Sequence, residues 1–162
     1  MTERDAFLRW TCANPFAEEV REAYLHWLVL QALELEPGVS RPEGAWREQV
    51  LRVGGLSLAL ASAAYIQHPA QQEPNPISFK LSALQADCQL LGLLEGSPPE
   101  AVEGLDLFDP TQWRFWLVQS RSLHPERLSI GLNPLCRSQG DGLAFHELKA
   151  AVWALASDNT AT

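Results

Sequence analysis

A chain of 162 residues with 20 acidic and 12 basic side chains carries a formal charge of −8, a balance that repels phosphate backbones and anionic lipid surfaces and disfavours nucleic acid as a partner. The length suits a single domain that buries its own core. Three cysteines, Cys12, Cys88 and Cys136, form an odd set with no close pair, which fits a reducing compartment and a cytoplasmic address.

The opening MTERDAFLRW carries Glu3 and Asp5 and lacks the continuous apolar run of a secretory signal. Residues 3 to 12 allow a short helix with Phe7, Leu8 and Trp10 on its buried side. Asn14 and Pro15 read as an N-cap and first-turn proline, and Glu18, Glu19 and Glu22 suit the positive end of the helix dipole. Phe16, Val20, Ala23, Trp27 and Leu30 recur at steps of four and three along one face, until Pro37 and Gly38 stop this helix. The next stretch, 45–66, begins near Pro42 or Glu43 and passes through Trp46 and Val50 into fourteen uncharged residues, Val53 to Ile66. Such a run predicts a helix buried all round, the hub of the fold, with Gly54 and Gly55 costing about 1 kcal/mol each unless they mark a close contact or a break. It is too short to cross a bilayer, which takes roughly 20 apolar residues.

A polar, proline-rich loop follows at 68–76. Asn75 and Pro76 repeat the helix-start signal, and Ile77, Leu81, Leu84, Cys88 and Leu91 have the spacing of a core seam, predicting a helix over 77–94 with Gly96, Pro98 and Pro99 beyond its end. Residues 97–110 read as loop. TQWRFWLVQSRSL, 111–123, favours helix from a cap at Asp109, although its aromatic and β-branched content also permits a strand. Leu128, Ile130 and Leu132 alternate with polar or small residues, giving a short strand or hairpin over 126–134 that Pro134 ends. SQGDG, 138–142, is a turn, Asp141 caps a last helix with Phe145, Leu148, Val152 and Leu155 as its buried stripe, and SDNTAT is a frayed tail. Together these elements predict a mainly α fold: one domain, residues 1–162, built as a bundle of about five to six helices around the small-residue hub, with a flexible loop at 68–76.

Chemistry is sparse in this pattern. His146-Glu147-Leu148-Lys149-Ala150 lacks the second histidine that a zinc helix needs one turn on. Asp106 with Asp109, or Glu95, Glu100 and Glu103, could pair as acid and base, but carboxylates at loop edges usually cap helices or face solvent. Gly54-Gly55 is followed by no lysine, no serine stands in a nucleophile elbow, and His26, His68 and His124 have no relay partners nearby in sequence. The expectation is a protein without catalytic residues, cofactor or metal. Trp113, Arg114, Trp116 and Arg121 are the candidate partner-binding residues, because a single helical face cannot bury all of them and Trp and Arg dominate binding hot spots. The plainer alternative places both indoles in the core and both guanidinium groups in solvent.

Four short segments, Tyr24-Leu25-His26-Trp27-Leu28, Leu51 to Leu58, Phe115-Trp116-Leu117 and Arg127 to Pro134, make the chain resemble the YscK and OrgA-like accessory proteins of the type III secretion sorting platform. That resemblance implies a non-catalytic cytoplasmic adaptor, held at the inner-membrane periphery by a protein partner, that joins the inner-membrane ring to the pods of the platform without inserting into the membrane. A small acidic secretion or phage-type assembly chaperone, and a ligand-binding or enzymatic helical bundle, remain compatible with the same residues.

Overall fold

The computed structural model describes residues 1–12, 14, 16–35, 49–81, 85–96 and 103–160. Among them are four α-helices and six strands in two sheets, so the chain is mixed α/β and the expectation of an all-α helical bundle is overturned. The hub itself is sheet. Val50–Val53 (β1) and Leu56–Ala64 (β2) form an antiparallel hairpin in the register Val53↔Leu56 to Val50↔Ala59. Gly54 and Gly55 are its two-residue turn, and Gly54 has φ +59°, at the first central position, where type II′ hairpin turns take glycine. A strand covered on both faces reads as an unbroken apolar run, and over so few residues periodicity cannot separate it from a buried helix.

The predicted helix over 77–94 is likewise replaced, by Ser78–Lys80 (β3) and Cys88–Leu94 (β4). β4 runs parallel to β2, from Leu58↔Cys88 to Ala64↔Leu94, and antiparallel to Trp113–Gln119 (β5), from Cys88↔Gln119 to Leu94↔Trp113. The main sheet therefore has the order β1-β2-β4-β5. CQLLGLL is buried at every position because it is an inner strand with both faces covered. In β5, the helix expected over 111–123, the aromatic and β-branched side chains prevail once β4 supplies a pairing edge. The strand expected within 126–134 forms as Ser129–Gly131 (β6) and pairs antiparallel with β3 through Phe79↔Ile130. Pro134 does not end it. It sits in the first turn of a further helix, Leu132–Gln139 (α3 below), where a missing N–H costs little.

Helices Glu3–Cys12 (α1) and Glu18–Ala32 (α2) precede the sheet, and α3 and Leu148–Thr160 (α4) follow it. One sheet face carries Leu58, Leu60, Leu90, Trp113 and Phe115 and is covered by Leu25, Leu28 and Val29 of α2 and Leu148, Val152 and Ala156 of α4. The other carries Ala61, Ala63, Leu91, Leu93 and Trp116, covered by Phe79 and Ile130 of the small sheet and Leu135 of α3. Helix α2 lies so close that a Cβ on Gly92 would stand 2.5 Å from Leu25 Cδ1. The buried side of α2 is rotated from the predicted stripe: Trp27 is 45 % exposed, while Arg21, Leu25, His26, Leu28 and Val29 face inward. The helix begins after Ala17 and not at Asn14. A 3₁₀ turn at Phe145–Glu147 leads into α4, where Glu147 Oε1 accepts the Ala144 N–H, so Asp141 is not the cap. Residues 157–160 of the expected tail are helical. The loop at 68–76 contains no helix or strand and is tied to the Tyr65 carbonyl by Asn75 N and Gln71 Nε2. Pro15, the stop at Pro37-Gly38, the start near Pro42 or Glu43, Trp46, Leu84, Pro98 and Pro99 lie outside the described residues.

Candidate functional site

Strand geometry divides the four residues singled out from the sequence. In a helix Trp113 and Trp116 share a face; in β5 successive side chains alternate, so the two indoles point to opposite sides of the sheet. Trp113 is 3 % exposed and donates its Nε1–H to Leu107 O at 3.0 Å, and Trp116 is 1 % exposed and donates to Gly140 O at 3.0 Å. Both indoles are core side chains whose N–H groups are satisfied internally. Arg114, half-buried beside Trp116, holds Glu95 Oε1 at 2.8 Å through Nη2 and the Asp141 carbonyl at 3.2 Å through Nη1, with its guanidinium 6.0 Å from the Trp116 ring centre. Gly142, at φ +88°, leaves room for this arrangement, since a Cβ there would come within 2.8 Å of Arg114 Cγ and Trp116 Cε2. Arg114 is thus a latch on the β5 edge. Only Arg121, in the 3₁₀ turn Ser120–Ser122, is exposed.

Arg121 borders a cleft of about 360 Å³ at the start of β2 and β4 and the end of α4, together with Asp87, Cys88, Ser120, Asp158 and Asn159. Its polar groups mostly hold the fold. Asp87 Oδ2 accepts from Ser57 N at 2.8 Å and Ser57 Oγ at 2.9 Å, Ser57 Oγ accepts in turn from Asp87 N, and Asn159 Nδ2 donates to Gly55 O. Burial, with the neighbouring Asp87 charge, pushes the Cys88 thiol up to about 12, which keeps it protonated and a poor nucleophile. No histidine is among the cleft's described lining residues. Among its described residues the cleft offers polar binding groups, and its thiol is not activated.

Of the carboxylates weighed as acid and base, Asp106, Asp109 and Glu95 serve as caps and ties, Glu103 is exposed, and Glu100 lies outside the described residues. Asp109 Oδ1 accepts from Thr111 N and Oγ1, bonds that hold its carboxyl below the usual carboxylate range, and Asp106 Oδ1 accepts from Phe108 N. Among the described residues no three His, Cys, Asp or Glu side chains converge as a metal site, and no helix is long and apolar enough to cross a membrane.

A different surface stands out at the N-terminus. Phe7, Leu8 and Trp10 are 58, 46 and 77 % exposed, and Glu3 to Thr11 all face solvent. The helix expected there does form, but without a buried side. Among the described residues, half of the large exposed apolar side chains, Met1, Phe7, Leu8 and Trp10 against Trp27, Phe108, Leu128 and Trp153, fall within ten residues, and such a concentration differs from the scattered exposure normal for a folded surface. Thr2 and Asp5 start α1 with a reciprocal cap: Asp5 N donates to Thr2 Oγ1 and Thr2 N to Asp5 Oδ2, both at 3.1 Å. Phe7 and Trp10 rings lie 6.3 Å apart. Sequence reasoning finds these side chains but assigns them inward, and it passes over Arg21, a charge on the arc of α2 that the sheet covers. The only signal for Arg21 is its spacing of four from Leu25. No family model, curated protein or solved structure matches the chain.

Proposed function

We propose that this protein is a non-catalytic adaptor that binds another protein through the exposed face of α1. The observation that carries the reading is the trio Phe7, Leu8 and Trp10 on a helix with no buried described residue. A helix of ten residues is only marginally stable in water, where roughly 12 to 15 residues are needed even for good helix formers. An amphipathic segment of this kind gains its stability by laying its apolar side chains into a partner's groove. The distribution of polar groups agrees with a binding role, because Asp87, Asp109 and Glu95 are engaged in structural hydrogen bonds or ion pairs.

The resemblance of Tyr24 to Leu28, Leu51 to Leu58, Phe115 to Leu117 and Arg127 to Pro134 to YscK and OrgA-like proteins supplies the setting: a cytoplasmic link between the inner-membrane ring and the pods of a type III secretion sorting platform. The test is co-purification of the full chain with ring and pod proteins of its own organism, wild type against the double variant Phe7→Ser/Trp10→Ser. Loss of two aromatic anchors should weaken the complex by about 2 kcal/mol or more, roughly thirtyfold, with an unchanged circular dichroism spectrum and Tm. Undiminished binding by the double variant would remove α1 as the docking element. Wild-type protein that binds neither a ring nor a pod component would remove the type III setting.

A further inference from the structure

Arg21 lies in the first turn of α2 and is 3 % exposed. Its Nε donates to Ser62 Oγ at 3.1 Å, while Nη1 is buried without a hydrogen-bond partner. A cavity of about 100 Å³ lies beside it, walled by residues 61–64 of β2, by the start of α2 and by Ile77, Ser78 and Lys80. β1 pairs only with the Leu56–Ala59 half of β2. Among the described residues, no strand continues along the other half on that side, and the cavity follows it.

The charged side chains of the wall are Glu18, Arg21, Glu22 and Lys80. Glu18 Oε1 is 3.9 Å from Lys80 Nζ, with both side chains largely in solvent, and Glu22, nearly buried, has an interaction of its own. Burial lowers the Arg21 pKa and the nearby Glu18 and Glu22 charges oppose that shift, but a guanidinium stays protonated in proteins. The site thus holds a dehydrated cation whose Nη1 has no hydrogen-bond partner, beside the cavity.

We propose that this cavity binds a carboxylate. Nη1 donates one charge-assisted hydrogen bond to it, and the Ser62 hydroxyl, which accepts from Nε, keeps its own proton to donate a second. A monoanion meets less repulsion from Glu18, Glu22 and the net charge of −8 than a phosphate dianion would. The carboxylate is either that of a free small acid or the C-terminus of a peptide laid along β2. α1 does not line the cavity, so this site and the α1 reading stand or fall separately.

The test follows the Arg21 Nε–Hε resonance of the full-length ¹⁵N-labelled protein during titration with acetate, N-acetylglycine, N-acetylglycinamide, inorganic phosphate and chloride at constant ionic strength. Saturable shifts with acetate are expected, about tenfold weaker with phosphate and absent with the amide and chloride. N-acetylglycine binding tighter than acetate assigns the site to a peptide terminus; the reverse order assigns it to a free acid. Ser62→Ala should weaken acetate about fivefold, a loss typical of one hydrogen bond, and Arg21→Gln should abolish binding. Should Arg21→Gln fail to fold, Ser62→Ala and the exposed Lys80→Gln decide, each expected to weaken acetate. Linear shifts identical with chloride, phosphate binding tighter than acetate, or acetate binding unaltered in both Ser62→Ala and Lys80→Gln would overturn the proposal.

Discussion

Strand β4 hides every residue of CQLLGLL between two neighbouring strands and two covered faces, whereas α1, with Phe7, Leu8 and Trp10 among its ten residues, leaves Glu3 to Thr11 in solvent. Both stretches carry large apolar side chains, α1 among four charged residues. The difference is what stands opposite: Leu90 and Leu91 lie in clusters with α2, α4, β3 and β6 side chains, and each such burial contributes about 1.5–3 kcal/mol, while Glu3 to Thr11 of α1 stay exposed. Apolar side chains assign themselves to the core only when the topology brings a second surface to them, and the proposed docking role of α1 rests on those left over.

Four experiments break or sharpen this contrast. The largest effect belongs to Trp116→Ala, which empties a fully buried site and strands the Gly140 carbonyl that accepts its N–H. A loss of about 3–5 kcal/mol is expected in urea unfolding, and partner binding should fall only as the fold does. A variant that keeps its stability but loses the partner would place Trp116 on the docking surface after all. Next comes Gly92→Val, whose added atoms press on Leu25 and Trp113. Overpacking there should cost about 1–3 kcal/mol, so a neutral result would mean that α2 is less tightly seated on the sheet. The double variant Phe7→Ser/Trp10→Ser should change stability by less than about 0.5 kcal/mol, as for other exposed positions, and a larger loss would show α1 packed on the body.

The smallest effect is confined to the start of α1. Hydrogen bonds from Thr2 hold the Asp5 carboxyl below its ordinary pKa, so the folded helix prefers the carboxylate. The stabilisation is complete above the ordinary carboxylate pKa of about 3.9 and is lost as pH falls through the depressed value. The ¹³Cα shifts of Ala6 to Trp10 should move toward coil values over that range while those of β4 stay fixed. Sheet signals that changed first would reverse the ranking of the two regions.

Much of the local structure was legible from side-chain chemistry alone. The helix at 3–12, the body of the helix at 18–32, the loop at 68–76 and the strand at 129–131 follow from caps, prolines and alternation that act within a few residues. β2, β4 and β5 were not, for a common reason. Ala59, Ala61 and Ala63 are poor strand formers in isolation, and a four-and-three spacing from Ile77 through Leu81 to Cys88 and Leu91 arises readily by chance where nine of fifteen residues are apolar. The overlooked signal was Gly54-Gly55 between two apolar runs, a hairpin turn, whereas the dense aromatic and β-branched residues of WRFWLV permit the strand that the cap at Asp109 argued against. The candidate site inherited the same error, because Trp113 and Trp116 share a surface only on a helix.

Taken alone, the sequence determined the net charge, the short helix at 3–12 and the short strand at 129–131, all properties of residues and their near neighbours. The tertiary structure decided that the uncharged run is an inner strand, which arc of α2 faces inward, and that Arg21 is buried while Trp10 is not. Those outcomes depend on surfaces brought together from distant parts of the chain, since burial and strand pairing are properties of two segments at once.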